Sequence, residues 1–134
     1  MRLLVITPEK VVLDREVDSV RIPGTEGSFG VLSHHAPLLA AVEPGELTVT
    51  EKGGNHTSFF VADGFVEVGK NVVRLVVDSG EPVTDIDLKR AEESEKRARE
   101  RLAARVKTDI DLPRAEGALR RALQRTKLAR KYRM

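Results

Sequence analysis

The hydrophobic period of this chain changes once, at residues 84–88, and that change limits the available folds more than any other feature. Up to Val77, short runs of Val, Ile, Leu and Phe are separated by Gly, Asn or Pro. Alternation at period two marks strands with one buried face. After "DSGEPVT" no Gly or Pro intervenes until past residue 106, and the composition turns to Arg, Glu, Lys and Ala. The 134 residues therefore divide into a β unit over 1–84 and a helical unit over 85–134.

Within the first unit, "LTVTEKGGNHTSFFVA" predicts a strand, a tight turn over residues 52–55 and a returning strand. Consecutive glycines supply the positive φ such a turn requires. "GFVEVGKNVVRLVVD" repeats the arrangement around Gly69, Lys70 and Asn71, with Val66, Val68, Val73, Leu75 and Val77 facing a core. "MRLLVITPEK" holds too short an apolar run for a secretory h-region of ~7–15 residues, and reads as the first strand. Evenly spaced short strands predict a mainly β sandwich or flattened barrel of roughly eight to ten strands at ~5–6 residues each. No run approaches the ~18 apolar residues of a membrane span, so any membrane connection would run through a partner.

In the second unit, Thr84 followed three residues on by Asp87 resembles a capping box, and Asp85 and Asp87 place negative charge where a helix N-terminus favours it. A second helix start lies in "DIDLPRAEGALRRAL", where Asp109 or Asp111 can cap and Pro113 suits a first turn. The reading is a helical hairpin turning near residues 107–111. Its seam is thin: Leu88, Ala91, Ala98 and Leu102, interrupted by Glu95, face Ala115, Leu119, Ala122 and Ala129, with Thr126 between. Burial is worth ~0.8 kcal/mol per CH₂, against ~1–2 kcal/mol per residue for backbone ordering. Gly117 subtracts up to ~1 kcal/mol more. Such a hairpin must lean on another surface or a ligand, as a movable element would.

Charge follows the same division. Residues 1–84 carry 7 Lys/Arg against 12 Asp/Glu, a net −5, and residues 85–134 carry 16 against 9, a net +7. An acidic body with a basic tail suggests two different partners, or one part folding against the other. Counting along the first helix from Asp87, Arg90, Ser94, Arg97 and Arg101 form one polar stripe; Arg114, Ala118, Arg121 and Arg125 form another on the second. Arginines from both helices can converge on one phosphate, which their planar forks suit. Asp87 and Glu81 can accept from an amino group such as that of adenine. The alternative is a solvated face, with Asp87 and Arg90 a surface pair worth ~0.2–0.5 kcal/mol.

Other chemistries find less support. The chain has no cysteine, which removes thiolate metal sites and thiol nucleophiles, and its histidines are His34, His35 and His56. A hydrolase would need Ser28 or Ser33 with His35, yet neither serine sits in a nucleophile elbow. No G-x-x-x-x-G-K-[ST] or G-x-G-x-x-G stretch is present, so a nucleotide would bind without a P-loop. Nucleic acid binding by the basic hairpin is the alternative function, although Glu92, Glu93, Glu95 and Glu100 break up the positive charge and Tyr132 is the tail's single aromatic residue.

Two stretches carry a family resemblance. "GTEGSFGVLSHHAPLLAAVEPGEL" resembles the loop-and-strand signature of the epsilon subunit family of bacterial F-type ATP synthases, with its G-x-x-G-[VI]-L-x-x-H-x-P-L core. "DIDLKRA" resembles that family's I/L-D-x-x-R-A motif at the start of the C-terminal helices, and the order of the remaining strands fits as well. The resemblance implies a mainly β N-terminal sandwich of about ten strands followed by a two-helix hairpin. It implies no catalytic residue and no required cofactor, but a rotor subunit on the central stalk that helps couple proton flow to ATP synthesis. The implied partners are the gamma subunit and the c-ring, and the alpha/beta catalytic head when the hairpin extends and restrains hydrolysis. The implied location is the cytoplasmic side of the bacterial inner membrane, reached through the complex. The implied regulatory ATP site comprises Glu81, Ile86, Asp87 and Ala91 near the base, with Arg90, Arg97, Arg121 and Arg125 toward the phosphates. The implied c-ring contact falls at Ser28 and His35.

Overall fold

The computed structural model describes residues 1–105 and 112–132 and divides into two compact units, Met1–Pro82 and Val83–Met134. The first is a β-sandwich of seven strands: β1 Arg2–Ile6, β2 Val11–Gly24, β3 Gly27–Leu32, β4 Leu38–Val42, β5 Gly45–Glu51, β6 His56–Gly69 and β7 Val72–Pro82. Their order is β1-β7-β6-β4-β2-β3, with β5 bridging β2 and β6. Every ladder is antiparallel except that between β1 and β7.

Seven strands rather than about ten is a correction with a physical cause: strands run on through places where the sequence suggests a break. β2 pairs with β1 through Glu16, then passes a bulge between Val17 and Ser19 and pairs with β3 and β5. β6 pairs with β5 in its first half and β4 in its second. The Asp63-Gly64 step between those halves breaks nothing, because Ala62↔Ser79 and Gly64↔Val77 keep one register along β7. Long bent strands serve two layers at once and so replace pairs of short ones.

Side chains follow the alternation. Val66, Val68, Val73, Leu75 and Val77 are all buried, together with Leu3, Val5, Ile22, Leu47 and Val49. The β5–β6 turn contains Gly53 and Gly54 at φ 98° and 92°, as their sequence requires. The β6–β7 turn differs: Lys70 and Asn71, at φ 51° and 59°, supply the left-handed pair rather than Gly69. Two successive positive φ values match the right-handed twist of the flanking strands.

On the exposed side of β1 and β2, Arg2 Nε and Nη2 donate to the two carboxylate oxygens of Asp14, each at 3.0 Å. These hydrogen bonds, opposed in part by desolvation and assisted by charge, hold the Asp14 carboxyl below its ordinary range. A carboxylate with a lowered folded pKa adds stability that is complete above its unfolded value, ~3.9, and is lost as pH falls through the folded one. Asp14→Asn is therefore expected to melt slightly below the parent at neutral pH, with the gap closing as pH drops below ~4. A pH-independent gap in thermal melts would contradict this. The pair is exposed, so the difference should be small.

The second unit begins with a 3-10 turn over Val83–Asp85, followed by α1 Leu88–Arg105 and α2 Leu112–Lys131. Here the capping expectation is corrected. Thr84 lies within the 3-10 turn, and Asp87 caps α1 by accepting the Arg90 backbone N–H at Oδ1, 3.1 Å away. Val83 and Ile86 are both buried, which fixes the chain in a turn and defers the helix to Leu88. Pro113 falls in the first turn of α2; the expected hairpin turn and the candidate caps Asp109 and Asp111 lie outside the described residues.

The seam is as thin as the sequence indicates. Ala91 and Ala98 of α1 and Ala115, Ala122, Leu128 and Ala129 of α2 are buried, while Leu88, Leu102 and Leu119 are only half-buried. Thr126 does not interrupt it: the residue is 1 % exposed, and its hydroxyl donates to the Ala122 carbonyl at 2.9 Å. Among the described residues no helix is long and apolar enough to cross a membrane.

Candidate functional site

Asp87, Arg90 and Ala91 occupy the cap and first turn of α1, with Ile86 just ahead. Asp87 and Arg90 are exposed, whereas Ile86 and Ala91 are buried. What joins Asp87 to Arg90 is the backbone cap, not the surface ion pair that their spacing also permits. Replacing the cap separates structure from charge. Asp87→Ala is expected to cost the helical unit ~0.5–2 kcal/mol, and Asp87→Asn, an equally good cap, only a few tenths. Helicity followed by far-ultraviolet dichroism during urea unfolding checks this; equal losses in both variants would contradict it.

The two helices run antiparallel. Arg130 near the end of α2 pairs with Glu92 near the start of α1 at 3.7 Å, and at the other end Ala98 and Arg101 line a small cleft with Arg114, Ala115 and Ala118. So the stripe arginines that the structure brings to one cleft are Arg101 and Arg114. Arg97 is exposed on α1, and Arg121 and Arg125 are half-buried on α2. Glu81 belongs to the first unit, on β7, opposite Phe60 of β6. Part of the basic excess is offset within the hairpin by Glu92–Arg130 and by Glu95–Arg99 at 3.5 Å, which tells against a continuous nucleic-acid-binding face.

Ser28 and His35 are both exposed. Ser28 is the second residue of β3, opposite Pro23, and His35 lies in the loop over residues 33–37 that leaves the strand's far end. Four residue steps along the strand, roughly 13 Å at ~3.3 Å each, lead from Ser28 to Leu32. Ser28 and His35 therefore lie toward opposite ends of β3, His35 beyond its last residue. Leu32 itself is 67 % exposed, as is Leu39 at 69 % on β4 and Phe65 at 47 % on β6. These apolar residues sit at outward positions of the alternation, with Ala41 opposite Phe65 and Leu39 opposite Glu67. Sequence reasoning missed them, although apolar residues on both phases of a period-two run were the available signal. A run with both faces apolar points to a covered outer face.

Among the described residues no group of three or more His, Cys, Asp or Glu could hold a metal ion. Two consecutive family models match the chain in the order its fold displays. The beta-sandwich domain of the ATP synthase delta/epsilon chain covers residues 1–83, and the long alpha-helix domain of the same chain covers 84–130. A β-sandwich carrying a helical hairpin is thus the class, and the chain belongs to the ATP synthase delta/epsilon chain family. It is 45% identical over 98 residues to the ATP synthase epsilon chain of Myxococcus xanthus, spanning 73% of this chain and 71% of that one. To the epsilon chain of Nitratidesulfovibrio vulgaris it is 44% identical over 103 residues, covering 77% and 76%. In fold it resembles a chain of the Euglena gracilis mitochondrial ATP synthase OSCP/F1/c-ring assembly, with a TM-score of 0.76 at 24% identity, covering 91% of this chain and 76% of that one.

Proposed function

We propose that this chain is a non-catalytic rotor subunit on the central stalk of a proton-translocating F-type ATP synthase. The observation that carries the reading is the joint match of both family domains, in order, to a chain whose two units are a β-sandwich and a thinly packed hairpin. The relatives' names and the c-ring assembly from which the similar fold comes support it. The β-sandwich over 1–84 binds the gamma subunit and the c-ring, with Ser28 and His35 as the c-ring contact. Through that complex the chain resides at the cytoplasmic face of the bacterial inner membrane.

The hairpin over 85–134 is the regulatory element. Extended, it reaches the alpha/beta head and restrains ATP hydrolysis; compact, it holds ATP. Glu81, Ile86, Asp87 and Ala91 address the base, and Arg90, Arg97, Arg121 and Arg125 address the phosphates. A seam of alanines supports this two-state behaviour, since a small differential affinity is enough to move such an equilibrium. Incubating the chain with a purified gamma–c-ring subcomplex tests the rotor role. Retention at one copy per gamma subunit is expected; elution of the chain alone would contradict it.

A further inference from the structure

We propose that Asn71 is a positioning residue for the loop over residues 33–37, holding the His35 ring in one pose for the c-ring contact. The proposal rests on the reading of His35 as part of that contact. His34 adopts φ 65°, a left-handed conformation that a non-glycine residue keeps only where its surroundings impose it. What imposes it comes from 37 residues away: the Asn71 side-chain Oδ1 accepts the His34 backbone N–H at 2.9 Å.

Asn71 is well placed to act as an anchor. It occupies the second left-handed position of the β6–β7 turn, and its backbone carbonyl accepts the Arg2 N–H at 3.1 Å, tying the turn to β1. One residue therefore uses its carbonyl to fix itself to the sheet and its amide to fix the loop. Asparagine tolerates the left-handed region better than most side chains, which makes both tasks compatible at one position.

The clamp propagates to His35 in a single step. The His35 N–H donates to the Leu32 carbonyl at 3.2 Å, and its ring Nδ1 lies 2.6 Å from the Ala36 carbonyl oxygen. A carbonyl oxygen only accepts, so Nδ1 carries the hydrogen and the neutral ring presents Nε2 as its acceptor. A ring held in one tautomer offers a partner a defined hydrogen-bonding edge. Pro37 of the loop and Lys70 of the turn also line an open cleft of roughly 590 Å³, together with Leu38 and Leu39 of β4 and Glu67, Val68 and Gly69 of β6. The Asn71 bond thus ties together the loop and the turn that each contribute one residue to this cleft.

Two variants separate positioning from folding. Asn71→Gly keeps access to the left-handed turn but removes the acceptor, and Asn71→Asp keeps both. Ring-nitrogen chemical shifts of His35 in the full chain should show the hydrogen on Nδ1 in the parent and in Asn71→Asp. In Asn71→Gly they should move to a tautomer mixture. Affinity for the purified c-ring should fall about threefold to tenfold in Asn71→Gly, the size of one net hydrogen bond, and stay within about twofold of the parent in Asn71→Asp. Unchanged His35 shifts in Asn71→Gly, or shifts in Asn71→Asp as altered as in Asn71→Gly, would overturn the positioning role. Altered shifts with unchanged c-ring affinity would overturn its service to the contact. If the parent chain itself fails to bind the c-ring, the contact reading falls, and the ring shifts still decide whether Asn71 positions His35.

Discussion

Gly64→Ala is expected to lower the melting temperature of the β-sandwich by on the order of 12 °C or more. An added Cβ at Gly64 would stand 1.9 Å from the Val76 carbonyl oxygen and 2.7 Å from the Val77 Cα, both backbone atoms of the neighbouring strand β7. No side-chain rotation relieves such a contact. β6 and β7 must separate at the Gly64↔Val77 pair, in the longest ladder of the sheet. Overpacking usually costs ~1–3 kcal/mol where side chains can shift, and rigid backbone on both sides puts this site at or above ~3 kcal/mol. For a unit of this size each kcal/mol moves the melting temperature ~4–8 °C, against a total stability of ~5–15 kcal/mol. Gly69→Ala is the control on the same strand. A Cβ there meets nothing within 4 Å, and the change should be neutral or stabilising by ~0.4–1 kcal/mol. If both variants melt alike, the close approach of β6 and β7 at Gly64 is wrong.

ATP is expected to raise the melting temperature and helicity of the chain without being hydrolysed. The hairpin buries alanines along most of its seam, so its own packing leaves it marginal and sensitive to any ligand that selects the packed state. A ligand at a hundredfold excess over its Kd adds ~2.7 kcal/mol to the state that binds it. That matches about three buried alanine methyl groups at ~0.8 kcal/mol each. Arg97→Ala, Arg121→Ala and Arg125→Ala should each reduce the ATP-dependent rise, since each removes a proposed phosphate donor, and Lys in place of Arg should restore it only in part because it lacks the planar fork. Calorimetric heat together with a thermal shift supports the site; neither heat nor shift at millimolar ATP would remove the nucleotide from the account and leave the rotor role standing.

Most of the architecture was legible in the sequence because it is written in periodicity. Val66, Val68, Val73, Leu75 and Val77 alternate, and all are buried; Ala91, Ala98, Ala115, Ala122 and Ala129 recur at helical spacing, and all are buried. What escaped was continuity. Asp63-Gly64 looks like punctuation, yet the glycine answers to the proximity of Val76 rather than to a turn, and that proximity is tertiary. The start of α1 escaped for a related reason. Thr84 and Asp87 are both acceptable caps by type, and burial of Val83 and Ile86 chooses between them. The arrangement around His35 was the least legible, because its anchor, Asn71, lies in a different hairpin. No local pattern joins residues 34 and 71.

The exposed apolar residues Leu32, Leu39 and Phe65 and the opposite charges of the two units agree with a chain that works inside an assembly. The most direct measurement is proton-driven ATP synthesis by membrane particles stripped of their own stalk subunit of this family, before and after this chain is added. Added chain is predicted to bind in stoichiometric amount and restore coupled synthesis, while turning over no ATP when assayed alone. Stoichiometric binding without recovery of synthesis, or no binding at all, would contradict the account.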